Sequence, residues 1–149
     1  MIAAIRVRGP TKTKSEINET MALLKLNKPN NCVILPETDS VKGMLQKAKD
    51  YITWGEINRD NLERLLFKWG RVNGGRLTEE YLKTIKYTKG KFIDDVHNGK
   101  IRLKEAGVKQ PFRLHPPRKG WGSIKKGFNE KGALGYRGDK INDLLERML

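Results

Sequence analysis

The strongest constraint on the fold is an alternation, over the first 57 residues, between short β-rich runs and stretches with helical spacing. Residues 2–8 place Ala3, Ile5 and Val7 on one face and Arg6 and Arg8 on the other, the period-two pattern of a strand with one buried face and a basic outer one. Thr13 and Glu16 stand at capping-box spacing ahead of Ile17, Met21 and Leu24, which predicts a helix over about 14–25. After the turn cluster Asn27-Lys28-Pro29-Asn30-Asn31, the run Cys32-Val33-Ile34-Leu35 is too short for a helix and reads as a second strand. Pro36-Glu37-Thr38-Asp39 offers capping oxygens to a second helix with the stripe Val41, Met44, Leu45 and Ala48, and Tyr51-Ile52-Thr53-Trp54 reads as a third strand. The expected product is an α+β fold whose β-α-β-α-β core, residues 1–57, has two helices on one face of a small sheet and leaves the other face available.

Residues 58–108 read as helical. Asp60 and Glu63 have capping-box spacing before the stripe Leu62, Leu65, Leu66 and Trp69, with Gly70 at the C-terminal cap. Thr78-Glu79-Glu80 opens a second helix containing Leu82 and Ile85, and Phe92 with Val96 before Asn98-Gly99 marks a third. The composition then shifts. Between 109 and 140 there are nine basic residues, two acidic ones and six glycines, so residues 109–149 read as a basic extension, closed by a helix that Asp139 caps and that aligns Ile141, Leu144, Leu145 and Met148.

Charge narrows the function. The chain carries 31 Lys and Arg against 17 Asp and Glu, a net charge of +14, which makes a polyanion the first partner to consider. No apolar stretch is long enough to span a bilayer, and Arg6 interrupts the N-terminus before a secretion signal could form; with a single cysteine, Cys32, a cytoplasmic location is expected. No membrane partner, small-molecule substrate or cofactor is expected, and no metal either, because one cysteine and the two histidines His97 and His115 give no zinc-ligand spacing.

The basic Gly-rich segment is the strongest functional feature, since Lys and Arg neutralise phosphates while glycines permit close approach to a nucleic-acid backbone. Phe112, Trp121, Phe128, Tyr136 and His115 are interleaved with the charges; they can stack on bases or anchor the loop to the body, and both readings stand. Gly122-Ser123-Ile124-Lys125-Lys126-Gly127 has phosphate-loop glycine spacing, but Phe128 and Asn129 occupy the positions that need Lys and Ser or Thr, so nucleotide hydrolysis is not indicated. Glu79-Glu80 and Asp94-Asp95 read as solvated or first-turn carboxylates rather than a two-metal nuclease site. Three functions compete: a structural RNA-binding protein without turnover, a free RNA-binding regulator, and an RNA-processing enzyme using the same basic surface, for which no convergent acid-base pair is found.

Two stretches carry a resemblance: VILPETDSVKGMLQKAKDYITWGEI at 33–57, and FRLHPPRKGWGSIKKGFNEKGALGYRGDKINDLLERML at 112–149. Together they resemble the archaeal, long-chain branch of large-subunit ribosomal protein L-thirty, related to the eukaryotic cytosolic protein L-seven, and the first 57 residues resemble the whole of its short bacterial form. The resemblance implies a structural constituent of the large ribosomal subunit, acting in translation and not as an enzyme. It implies an antiparallel three-stranded, ferredoxin-like core sheet, large-subunit ribosomal RNA and neighbouring ribosomal proteins as partners, and a position near the 5S RNA. It also implies RNA-facing roles for Arg113, His115, Arg118, Lys119, Lys125, Lys126 and Arg137, and further for Arg6, Arg8, Lys12 and Lys42.

Overall fold

The computed structural model describes residues 1–149. The N-terminal alternation is realised as β1 (Ile2–Arg6), α1 (Ser15–Leu23), β2 (Asn31–Leu35), α2 (Asp39–Lys47) and β3 (Ile52–Glu56). The middle of the chain forms α3 (Arg59–Trp69), a hairpin of β4 (Arg71–Val72) and β5 (Gly75–Arg76), α4 (Glu79–Thr84) and α5 (Lys89–His97). The C-terminal portion supplies β6 (Phe112–Arg113), β7 (Ser123–Gly127), β8 (Gly132–Tyr136) and α6 (Ile141–Met148).

The three expected strands pair antiparallel, with β1 between β2 and β3 and Ala3 opposite both Ile34 and Gly55. They are the centre of a wider sheet. β6 joins the free edge of β2 antiparallel, β8 joins β3 in parallel, and β7 flanks β8 through a register shift. The result is a mixed six-stranded sheet in the order β6-β2-β1-β3-β8-β7, which corrects the three-stranded expectation. Exposed strand edges template further pairing, and here the basic extension covers both edges of the N-terminal core.

Both faces of the sheet are buried. Ile2, Ala4, Val33, Ile52 and Trp54 pack with Met21, Leu24, Leu45 and Ala48 of the α1–α2 layer. Ala3, Ile5, Cys32 and Ile34 pack on the opposite side with Leu62, Leu65, Phe92, Val96, Leu144 and Leu145 of α3, α5 and α6. The face expected to stay available is therefore the floor of the larger core. The reason is visible in β1, where Ile2 and Ala4 alternate with Ala3 and Ile5, so both faces are apolar as far as Arg6 and the whole strand is buried.

Several helix starts differ from the expected ones. Thr13 does not cap α1, whose N-cap position is held by Lys14 with no side-chain cap bond. Thr38 and Thr78 do cap α2 and α4, accepting from the amides of Val41 at 3.2 Å and Tyr81 at 3.3 Å. At α3 the cap is Asn58, which accepts from the Asn61 amide at 2.8 Å and takes the place expected for Asp60. Asp139 lies in a 3-10 turn and caps nothing; the start of α6 is held by Asn142. Its Oδ1 accepts from the Asn58 amide at 2.9 Å, and its Nδ2 donates to the Glu56 carbonyl at 3.1 Å and the Asp139 carbonyl at 3.0 Å. The final helix is thus tied to the β3–α3 junction, and the tail is fixed to the body as its apolar stripe indicated.

Candidate nucleic-acid interface

The sheet order separates the basic residues that sequence places close together. Arg113 lies on β6 and Lys125 and Lys126 lie on β7, the two opposite edges of the sheet. Five strand intervals at about 4.8 Å each put these edges about 24 Å apart along the sheet, so they do not form one cluster.

Two of the expected RNA-facing residues are interior, which corrects their assignment. Arg6 is 3 % exposed; its Nε donates to the Arg8 carbonyl and its Nη1 to the Leu26 carbonyl, both at 2.8 Å, tying the end of β1 to the turn before β2. Burial lowers its pKa from the ordinary guanidinium value, against an opposing contribution from Tyr51. Arg137 is 9 % exposed; its Nε donates to Thr53 Oγ1 and its Nη2 to the Ala133 carbonyl, both at 2.7 Å. Desolvation, with a smaller contribution from Arg147, lowers its pKa to about 10, so it is a cation at neutral pH that also lies over the ring of Phe128 at 4.9 Å. A guanidinium that satisfies buried carbonyls and a hydroxyl is committed to the fold.

At the β6 edge, Arg113 shares an open concavity of about 440 Å³ with Trp69, Arg71, Lys109, Gln110 and Pro111. His115 is exposed, and its ring meets Trp69 edge-on, with centroids 4.9 Å apart. Gln110 closes the strand edge, accepting from the Ile34 amide at 2.9 Å. Trp69 and Arg71 are not legible as site residues because they lie in the helical stretch, far in sequence from Lys109, and only the β4 pairing brings the two segments together. The signal that could have raised them is the Asn73-Gly74-Gly75 turn, a hairpin marker that brings Arg71 and Arg76 face to face.

Between the two edges the chain runs past α6, where Arg147 Nη1 donates to the carbonyls of Arg118 at 3.2 Å and Gly120 at 3.1 Å. Those bonds use the backbone, and the side chains of Arg118 and Lys119 are exposed. At the β7 edge, Lys125 and Lys126 are also exposed. Lys125 lines a cleft of about 420 Å³ with Lys49, Trp54, Phe128 and Tyr136. Nearby, Arg8 lies over the Tyr51 ring at 5.2 Å and reaches the Asp50 carbonyl at 3.4 Å. Lys12 and Lys42 are exposed elsewhere, before α1 and on α2. The structure therefore brings together Arg113 and His115, and places Lys125 beside the α2–β3 turn, but it does not gather the full expected set.

The aromatics divide as well. Phe112 is fully buried in the larger core, and Trp121 and Phe128 are half-buried, so these act as anchors. Tyr136 is 52 % exposed, with its hydroxyl donating to Glu56 Oε1 at 2.6 Å. That bond, with smaller contributions from desolvation and nearby carboxylates, pushes its pKa up to about 12.

The electrostatics favour a polyanion over any internal partner. Of the 31 Lys and Arg side chains, only Arg59 and Lys89 stand in ion pairs, with Glu63, Asp94 and Glu79. No three His, Cys, Asp or Glu side chains converge into a metal-binding group. Burial pushes the Cys32 thiol far above its usual range, so it has no thiolate character near neutral pH. No helix is long and apolar enough to cross a membrane.

Comparison with known proteins gives a consistent result. Residues 2–52 match the family model described as Ribosomal protein L30p/L7e. Relatives that carry the name "Large ribosomal subunit protein uL30" match along nearly the whole chain, among them three archaeal ones. That of Methanococcus vannielii is 47% identical over 151 residues, covering 99% of this chain and 98% of the relative. That of Nanoarchaeum equitans is 48% identical over 153 residues, covering 100% and 99%. That of Methanosphaera stadtmanae is 47% identical over 152 residues, covering 100% of both.

Proposed function

The chain belongs to the L30p/L7e family of ribosomal proteins, and from that premise we propose that it holds ribosomal RNA in place by neutralising phosphates with the exposed cations of its extension and sheet edges. It is a structural constituent of the large ribosomal subunit and so cytoplasmic, and it is not an enzyme. The observation that carries this reading is coverage: the relatives named as large-subunit proteins match along the whole chain, with the basic extension included.

The binding surface in this reading consists of Arg113 and His115 at the β6 edge, Arg118 and Lys119 along the crossing segment, and Lys125 and Lys126 at the β7 edge, with Arg8, Lys12 and Lys42 contributing from the N-terminal core. Arg6 and Arg137 support it from inside. Residues 1–57 act as the core, 58–108 as a helical insertion or extension and 109–149 as the RNA-binding extension. The ferredoxin-like description of the core and a location near the 5S RNA belong to the same proposal.

Counterion release supplies the test. With on the order of 6 to 10 phosphates neutralised, affinity for large-subunit RNA falls by about 10³- to 10⁵-fold between low and moderate salt, and by less on single strands. A flat salt titration would overturn the phosphate-binding reading.

A further inference from the structure

The hairpin after α3 contains an arrangement that folding alone does not favour. Arg71 on β4 stands directly opposite Arg76 on β5, and on its other side Arg71 bridges to Lys109, whose amide donates to the Arg71 carbonyl at 2.8 Å. Arg76, Arg71 and Lys109 thus form a row of three cations across adjacent chain segments. Like charges directly opposite one another destabilise a pair of strands. All three are exposed, and none is in an ion pair with a carboxylate.

Arg71 and Lys109 also line the concavity at the β6 edge together with Arg113 and the indole of Trp69, and no acidic side chain lines it. Its volume, about 440 Å³, lies within the range of ligand sites. Guanidinium forks and an ammonium around an aromatic wall match the phosphodiester backbone of an RNA turn, with phosphates on the cations and a sugar or base against the indole. A repulsive row that costs stability in the free protein is relieved when phosphates enter it.

We propose that the concavity formed by Trp69, Arg71, Lys109 and Arg113, extended by Arg76, is an RNA phosphate site separate from the β7 contact. This rests on the ribosomal RNA reading and adds to it residues outside the C-terminal extension. The β7 edge lies about 24 Å away along the sheet, beyond the Debye length of about 8 Å at physiological salt, so the two contacts respond independently.

The test compares the full-length protein with two variants on a large-subunit RNA fragment, by hydroxyl-radical footprinting and salt titration. One variant combines Arg71→Gln, Lys109→Gln and Arg113→Gln; the other combines Lys125→Ala and Lys126→Ala. The first is expected to melt at or above the wild-type temperature, to lose one block of RNA protections, and to lower the salt slope by about 2 to 3. The second loses a different block. If the first variant misfolds, the single Arg71→Gln change is read instead, with a slope change of about 1. The proposal is overturned if the glutamine variant keeps every protection, if both variants lose the same block, or if only binding of inorganic phosphate is lost, which would make the concavity a free-anion site. A wild-type protein that protects no RNA would overturn the ribosomal RNA reading itself.

Discussion

Arg137 Nε donates to the Thr53 hydroxyl at 2.7 Å, while Thr53 Oγ1 donates to the Gly135 carbonyl at 2.9 Å, so a buried polar relay fastens the C-terminal strand β8 to β3, the edge strand of the N-terminal core. The Arg137 amide extends it by donating to the Trp54 carbonyl at 2.9 Å. Arg137, one of the residues to which the resemblance gave an RNA-facing role, thus seats the extension on the sheet.

Replacing Arg137 with Ala is expected to leave the Ala133 carbonyl unpaired and the Thr53 hydroxyl without its donor, which costs about 2–3 kcal/mol. Arg137→Lys recovers only part of this, because an ammonium cannot reproduce the two-pronged guanidinium geometry. Chemical denaturation of both variants checks the order wild type, Lys, Ala. Equal stabilities would show that the relay is dispensable.

Gly55→Ala tests the docking of the final helix. A Cβ at Gly55 would run into the Gly138 carbonyl and press on Ile141 Cβ at the start of α6. Overpacking of this kind costs about 1–3 kcal/mol, and amide exchange in α6 should accelerate more than in β1. Uniform acceleration across the chain would argue against a localised clash.

The readable parts of the fold were those written in local patterns. β1 to β3, α2, α3 and the caps of Thr38 and Thr78 follow from alternation, helical stripes and capping oxygens in contiguous sequence. The wider sheet was hidden because β6 is two residues long and β7 is exposed along most of its length, so neither shows apolar periodicity. Met44 sits on the correct helical stripe yet is only half-buried, whereas Val41 and Leu45 are buried. The candidate site was legible as a charge excess but not as geometry. Long-range pairing decides which cations meet, and the burial of Arg6 and Arg137 depends on carbonyls from distant segments.

Tyr136 offers a pH-dependent signature. Its phenol donates to Glu56 and its pKa is pushed up to about 12, so the folded chain holds that proton more tightly than the unfolded one. The resulting stabilisation is complete below the ordinary tyrosine value of about 10 and is lost as pH rises through about 12. Ultraviolet titration should show one late-ionising phenol, and Glu56→Gln should return it toward the ordinary value. A late phenol that persists in that variant would place the cause elsewhere.

Alanine at Arg118, Lys119, Lys125 and Lys126 together is expected to weaken binding to large-subunit RNA while leaving the melting curve nearly unchanged. All four side chains are exposed and none is in an ion pair, and surface substitutions of this kind each change stability by about half a kcal/mol or less. Unchanged affinity with an unchanged melt would assign their charge to a solvated surface and shift the RNA contact to the β6 edge and the N-terminal core.

The most direct test of the central claim is quantitative sedimentation of a lysate from cells expressing the chain at its native level. A structural constituent of the large subunit should migrate with large subunits and whole ribosomes in near-stoichiometric amount, and shift to light fractions only when high salt strips bound proteins from the RNA. A chain found mainly in light fractions at moderate salt would contradict the account and point to a free RNA-binding regulator.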